Sequence, residues 1–502
     1  MRARRLPALS LALLSLAAAA TAHAADFTFN GNGNWSASGN WLNNLIPVND
    51  PTTHVVFSPT SPSAVTSTAD AARASWILNA LTINHTNSIA LDTLTTVPGA
   101  SLDFQGSNPF IEMTNSNGRP TLAGNITSSS QLTLRAANGI ASSPFTLSAS
   151  ITAPSLAITS GFIALSGTNT LAGGMTVTSG STPTRLTLST PAALGTGPLT
   201  ISSGITPFSI RLSLVNGAGS STAYANDLIV NGTASGANAL NFDFPTALAN
   251  HQFIFQSLTL NGNAILATPI TSSTNSVAFQ SVTLINTPGL FDQPAFNGIF
   301  SLANVSGAGP LAVGILGNVT LTSANAYGGG TVIHFGALTA NAAGALASGP
   351  IDLQTNRTLS LNATAAANSD ISGSFGNGTL NYNANNAANG HVLTASTLNL
   401  GPAVTSLGGD TFVLPIGNGY LSGNSATLAL LTRGGNLTLP AGSFVENTDG
   451  LLPTVNNLGA AADLFLALHT TSPLPVTVGT GTPWEGIAGG RTGSFVGTVT
   501  PA

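Results

Sequence analysis

Of 502 residues, 43% are hydrophobic, 6% aromatic and only 5% charged, with 55 Gly, 28 Pro, no Cys and a formal charge of −5, where an ordinary soluble domain carries about 25% charged side chains. All the basic residues are Arg, so thiol nucleophiles, Cys-ligated zinc or iron–sulfur sites, disulfides, a phosphate-loop Lys and Schiff-base chemistry are excluded. Those Arg are scattered singly in an acidic chain, which argues against a nucleic-acid partner, because phosphate neutralisation takes clustered basic groups.

Arg2, Arg4 and Arg5, the apolar run Leu6 to Ala20, and Ala22-His23-Ala24 form the three parts of a secretory signal peptide, so residues 1–24 are expected to be removed on export. The remaining chain then carries eight Arg against 16 acids. No later run reaches the roughly 20 apolar residues of a membrane helix, and no transmembrane helix is expected.

Residues 25–60 hold Trp35 and Trp41 and are expected to form an N-terminal cap. From 61 to 450 the recurring pattern is apolar-Thr-apolar, as in Leu81-Thr82-Ile83, Leu132-Thr133-Leu134, Leu186-Thr187-Leu188, Leu199-Thr200-Ile201, Leu258-Thr259-Leu260 and Leu437-Thr438-Leu439. This period of two predicts strands with one buried and one polar face. Clusters of Gly, Asn, Ser and Pro between them supply turns. With so few charges for outer helical faces, helix is disfavoured. Many short strands without a dividing linker favour a solenoid, in which each coil packs only on its neighbours. Coils of roughly 20 to 25 residues at ~4.8 Å spacing predict a rod on the order of 90 to 110 Å long, with Asn ladders between successive coils. Residues 451–502 read as further β coils.

Internal repetition supports this organisation. Ile163 to Val177 aligns with Val319 to Ile333, matching Asn169 to Asn325, Leu171 to Tyr327, and Gly173-Gly174 to Gly329-Gly330. Each copy continues to a shared ending, Ala193-Leu194 and Gly197-Pro198 against Ala345-Leu346 and Gly349-Pro350, with four extra residues in the first copy. The repeats therefore span 161–201 and 317–353.

This pattern resembles the autotransporter-associated β-strand repeat, also called the passenger-associated transport repeat. The opening from Phe27 through Trp35, Gly39-Asn40-Trp41, Pro47 and Val55-Val56-Phe57 is similar to the Trp-rich start of such exported bacterial proteins. The resemblance implies an all-β fold, a right-handed parallel β-helix (solenoid, pectin-lyase-like) with an N-terminal β cap. It also implies a secreted, cell-surface or outer-membrane location, and no shared enzymatic activity. Family members often continue into a β-barrel translocator or a sorting tail. After Trp484 this sequence ends in what reads as another strand pair, so the expectation is either a missing C-terminal translocator or release by another route.

Chemistry-bearing motifs are few. Asn447-Thr448-Asp449 resembles an acid motif of the β-helical polygalacturonases, but their Asp-Asp pair, Gly-His-Gly and Lys are missing, and a polar turn is the simpler reading. Glu446 and Asp449 are the closely spaced carboxylates where glycoside chemistry would be sought. His54, His85, His251, His334, His391 and His469 are isolated, without metal-ligand spacing. Gly328-Gly329-Gly330 lacks a following Lys and reads as a turn. Gly408-Gly409-Asp410 is too short for a calcium repeat. Leu474-Pro475-Val476-Thr477 resembles a sortase signal, but Val478 stands where Gly is needed. Sequons at Asn125 and Asn231 are expected by chance in an Asn- and Thr-rich chain.

Trp35, Trp41, Trp76 and Trp484 would form a sugar-stacking platform if exposed, but clustering near the N-terminus favours a buried cap. The expectation is a non-catalytic exported surface or secreted protein with an adhesin-like or matrix role, without catalytic, cofactor or metal residues. Its implied partners are extracellular polysaccharide or cell-surface and matrix components. The alternatives are a β-helical polysaccharide lyase or hydrolase, and a carbohydrate-binding module using the N-terminal Trp residues.

Overall fold

The computed structural model describes residues 26–59, 65–84, 93–114, 120–137, 144–179, 183–203, 210–214, 221–232, 238–244, 250–262, 264–268, 275–285, 296–314, 317–333, 336–342 and 344–347, and beyond them the backbones of short strands between Ile351 and Val499. The protein is all-β and built of long parallel sheets. No helix among the described residues is long and apolar enough to cross a membrane.

Three parallel ladders organise the strands. The first runs from Asp26–Phe29 through His54–Phe57, Ala80–Ile83, Phe110–Met113 and Leu132–Ala136 to Ala326–Tyr327. The second starts at Gly33–Asn34 and Thr66–Ala69 and reaches Thr411–Val413. The third links Ser75–Leu78, Ser101–Phe104, Asn125–Ser128, Ser150–Ala153 and Thr170–Leu171. After the 3-10 turn Pro191–Leu194, that third side resumes at 221–224 and extends to Glu485–Ile487. From His54 to Tyr327, successive strands visit these ladders in the cycle first, second, third, with the 3-10 turn Pro191–Leu194 standing in for one third-ladder strand.

The alternation read from the sequence sets which residues face inward. Leu132–Ala136, Met175–Ser179 and Thr184–Leu188 all alternate buried and half-buried positions. Inward positions coincide in register from rung to rung. Val55, Leu81, Ile111, Leu134, Ile158, Val177, Ile201, Val230, Leu260 and Leu284 form one continuous column, each residue paired with the next and all buried. At ~25 cal/mol per Å² of apolar surface removed from water, such columns add up to one continuous core that runs along the ladders. Circuits vary from 17 residues (Phe296 to Val313) to 34 (Gly33 to Ser67), a wider span than the expected 20 to 25. Most extra residues enter between the paired strands, and register shifts interrupt the pairing at Leu134/Arg135, Tyr224/Asp227 and Asn238/Leu240.

Asn side chains tie rungs together where expected. Asn261 Nδ2 donates to Asn231 Oδ1 at 2.6 Å, and Asn231 Nδ2 donates to Ser202 Oγ at 3.1 Å. The sequon residue Asn231 is thus engaged in a ladder.

The two repeat copies share one local geometry. Asn169 Oδ1 accepts the Ile151 N–H at 2.9 Å from the preceding rung, while its Nδ2 donates to the Ala193 carbonyl at 2.6 Å on the following one. Asn325 does the same between Val305 and Ala345, at 2.7 and 2.5 Å. The shared ending Ala-Leu therefore recurs because it carries the carbonyl that the repeat Asn grips. Gly174 and Gly330 adopt φ of 81° and 80°, which turns the chain into the next strand and favours glycine. Leu171 and Tyr327 fill the same buried position, and the Tyr327 hydroxyl lies 2.7 Å from Thr331 Oγ1. Burial pushes that hydroxyl up to about 12, against the opposing pull of its bonds to Thr331 and the Ala347 N–H. Yet the copies occupy different sides. The strand after Asn169 lies on the third ladder and the strand after Asn325 on the first.

At the N-terminal end, Phe29 makes an antiparallel bridge to Trp41. Trp35, Trp41 and Trp76 are buried, with Trp35 edge-on to both of the others at 5.4 and 5.3 Å. Each indole N–H is satisfied: Trp35 by Ser67 Oγ, Trp41 by the Trp35 carbonyl, and Trp76 by the Asp70 carbonyl.

Candidate functional site

Corner lengths between the third and first ladders vary sharply near the N-terminal end. One residue, Asn79, joins Ser75–Leu78 to Ala80–Ile83, whereas five, 105–109, join Ser101–Phe104 to Phe110–Met113. On the other side of Asn79, the chain entering His54–Phe57 bulges through Pro51 and Thr52. A short corner between two longer ones leaves a recess. The resulting cleft of about 590 Å³ is lined by Pro51, Thr52, Asn79, Gln105, Gly106, Ser107, Asn108, Phe110, Thr133 and Arg135.

Local chemistry holds these walls. Asp50 Oδ1 accepts from the Thr52 hydroxyl at 2.6 Å and from its N–H at 2.8 Å, which holds the Asp50 carboxyl below 3.8. Asn49 joins the cap segment to the third ladder, accepting the Ile77 N–H at 2.6 Å and donating to the Ser75 carbonyl at 3.0 Å. In the opposite wall, Gln105 Nε2 donates to Asp103 Oδ2, and Asn108 takes a left-handed φ of 76°. Gly106 lies directly over Asn79 Oδ1, and a Cβ there would collide with that oxygen.

On the first-ladder side, the Arg135 guanidinium sits 4.2 Å from the Phe110 ring centre, and Arg135 Nε lies 3.1 Å from Glu112 Oε1. That distance makes an ion pair, but the N–H direction misses the carboxylate, so the buried Nε–H has no hydrogen bond. Asn79 Oδ1 is likewise buried without a partner. The orphan acceptor and the orphan donor thus belong to residues of the cleft wall, but both atoms lie beneath its surface. Each costs free energy while unmatched, on the order of 1–3 kcal/mol.

Elsewhere, the described acids pair with donors and do not converge on one another. Asp26 meets His54 Nδ1 at 2.9 Å, Asp243 meets Arg185 at 3.2 Å and Arg211 at 3.8 Å, and Asp227 meets Ser257. His54 Nε2 lies 2.9 Å from Thr82 Oγ1, and buried His251 lies 2.8 Å from Thr222 Oγ1. No group of three or more potential metal ligands occurs among the described residues.

Sequence reasoning singled out other residues. The Glu446 side chain and Asp449, as well as Trp484, His85, His334, His391, His469, Gly408-Gly409-Asp410 and the segment from Leu474, lie outside the described residues, although the backbone register sets Glu446 between Ser422 and Ala467. Trp35 and Trp41 are buried and nearly perpendicular, at 81°, so they present no pair of open indole faces. Gly328 to Gly330 forms a bend between two short strands. Asn79, Phe110 and Arg135 were not anticipated as neighbours. The five residues from Gln105 to Pro109 set against the lone Asn79 were the available signal. No protein-family model, curated protein or solved structure matches this chain.

Proposed function

We propose that the chain is an exported, non-catalytic right-handed parallel β-helix of the autotransporter-associated repeat type, serving as a surface passenger, adhesin-like stalk or matrix component. The observation that carries this reading is the duplicated Asn clip, in which Asn169 and Asn325 each bridge the rungs before and after their own. A module that supplies its own inter-rung bonds suits a long coil built by repetition. Right-handedness follows from the strong preference of parallel strands for right-handed crossovers. The basic, apolar and small-residue segments of residues 1–24 support export.

A non-catalytic role is supported by the pairing of the described acids with Arg, His, hydroxyl or amide groups, which leaves them engaged in holding neighbouring rungs. The test is expression of the full chain in a bacterium with two membranes. Cleavage after Ala24, read by mass spectrometry, and recovery outside the cytoplasm are expected. An uncleaved chain retained in the cytoplasm would overturn the reading. So would release of reducing ends or unsaturated products from polysaccharides by the purified chain.

A further inference from the structure

We infer that the outer face of the second ladder at Arg185 and Arg211 binds a uronate-bearing polysaccharide through its carboxylates. This names a ligand for the surface protein proposed above and rests on that reading for the setting in which the two meet. Phe162, Arg185, Arg211 and Asn241 form one outward column, each paired in register with the next. Two Arg thus stand side by side on adjacent strands, ~4.8 Å apart, and like charges facing each other across that gap are unfavourable. In a mature chain with only eight Arg, such a pairing calls for a compensating gain.

One carboxylate serves both Arg. Asp243 lies 3.2 Å from Arg185 and 3.8 Å from Arg211, and Arg185 Nε also donates to Ser213 Oγ at 3.0 Å. Arg185 is therefore held, whereas Arg211 makes no hydrogen bond among the described residues and its side chain is 57% exposed. By contrast, Arg135 faces Glu112, and Arg73 donates to the Pro47 carbonyl beside Asp70. The column is left with one accessible positive charge in excess, which a single carboxylate neutralises. A carboxylate is planar and matches the guanidinium fork edge to edge. A phosphate dianion or a densely sulfated chain brings more charge than that excess and meets Asp243. An acidic peptide finds no strand edge to join, because Ile210–Ser213 is paired on both sides. A polysaccharide instead lies across side chains. Half-buried Phe162, two rungs before Arg211, offers its ring to a sugar C–H face. The rung spacing is close to the length of one pyranose unit, so a chain laid along the column meets the ring and the exposed guanidinium two units apart.

The test measures binding of the whole mature chain to polygalacturonate at about 0.15 M salt, where exposed charges more than ~8 Å apart are largely screened. The methyl ester of the same polymer, poly-glutamate and dextran sulfate are the comparison probes. Polygalacturonate is expected to bind and to raise the thermal midpoint, with each of the other three weaker by about tenfold or more. Arg211→Gln is expected to weaken polygalacturonate binding about tenfold or more, and Phe162→Leu about threefold, the ring contact being the smaller contribution. Arg211→Gln also distinguishes a binding role from a structural one. It removes a like-charged neighbour and breaks no hydrogen bond, so the ligand-free midpoint stays unchanged or rises, whereas loss of a structural Arg lowers it. The inference is overturned if polygalacturonate does not bind, if the ester, poly-glutamate or dextran sulfate binds as tightly, or if Arg211→Gln binds normally or melts lower. Those outcomes leave the export reading standing, and an uncleaved, cytoplasmic chain that still binds polygalacturonate through Arg211 would remove export alone.

Discussion

Single side chains do the work of joining rungs. Asn169 is buried and closes bonds to both neighbouring rungs, so Asn169→Ala strands the Ile151 N–H and the Ala193 carbonyl. A local loss of about 1–3 kcal/mol is expected, seen as faster amide exchange at Ile151 with distant rungs unchanged. Asn325→Ala should cost less, because Asn325 is only part-buried and water can replace its bonds. Equal effects at the two sites would contradict this ranking. Gly174→Ala meets two penalties, a left-handed φ of 81° and contact with the Pro198 carbonyl. Backbone strain alone costs roughly 1–2 kcal/mol, so this change should lower the thermal midpoint more than Gly39→Ala, where nothing crowds the new Cβ.

Among elements, the cap depends most on ionisation. Burial works to raise the Asp70 pKa, but the Ser36 hydroxyl and N–H, the Ala72 N–H and Arg73 together hold it below 3.8. A carboxyl depressed on folding stabilises above its unfolded pKa, and that contribution fades as pH falls through the folded value. The cap should therefore loosen below about pH 4, with Trp fluorescence shifting to the red before the far-UV signal of the coil changes. Asp70→Asn should abolish that early step and loosen the cap at neutral pH. Trp35→Ala removes the ring between Trp41 and Trp76, at a cost of roughly 3–5 kcal/mol. It should expose the first rung, and size-exclusion chromatography should show self-association through that open edge. A monomeric Trp35→Ala chain with an unchanged midpoint would refute the capping role.

The burial of the N-terminal Trp cluster and the strands were legible in sequence because both rest on local signals, clustered Trp residues and a period of two in Leu, Thr and Ile. The cleft was not legible. It depends on Asn79 being a shorter corner than those one rung away, and rungs differ in length by residues that no local pattern counts. The one-side displacement between Asn169 and Asn325 was hidden for a related reason. Each corner asks for the same tight turn, so the repeat fits any side of the coil.

For the whole molecule, the low charge becomes intelligible once each rung satisfies the backbone groups of the next. Thr, Ser, Asn and Gly outer faces then suffice, and the few ion pairs, such as Asp243 with Arg211 one rung away and Arg185 two rungs away, join rungs of one ladder. The β-helix proposed for this chain would be long and thin. Small-angle X-ray scattering of the mature protein tests that directly. A coil on the order of 100 Å long predicts a radius of gyration near ~30 Å, whereas a compact globule of this length predicts about 23 Å. A value near the larger figure, with a rod-like cross-section, is the expected result, and a compact value near the smaller one would contradict the account.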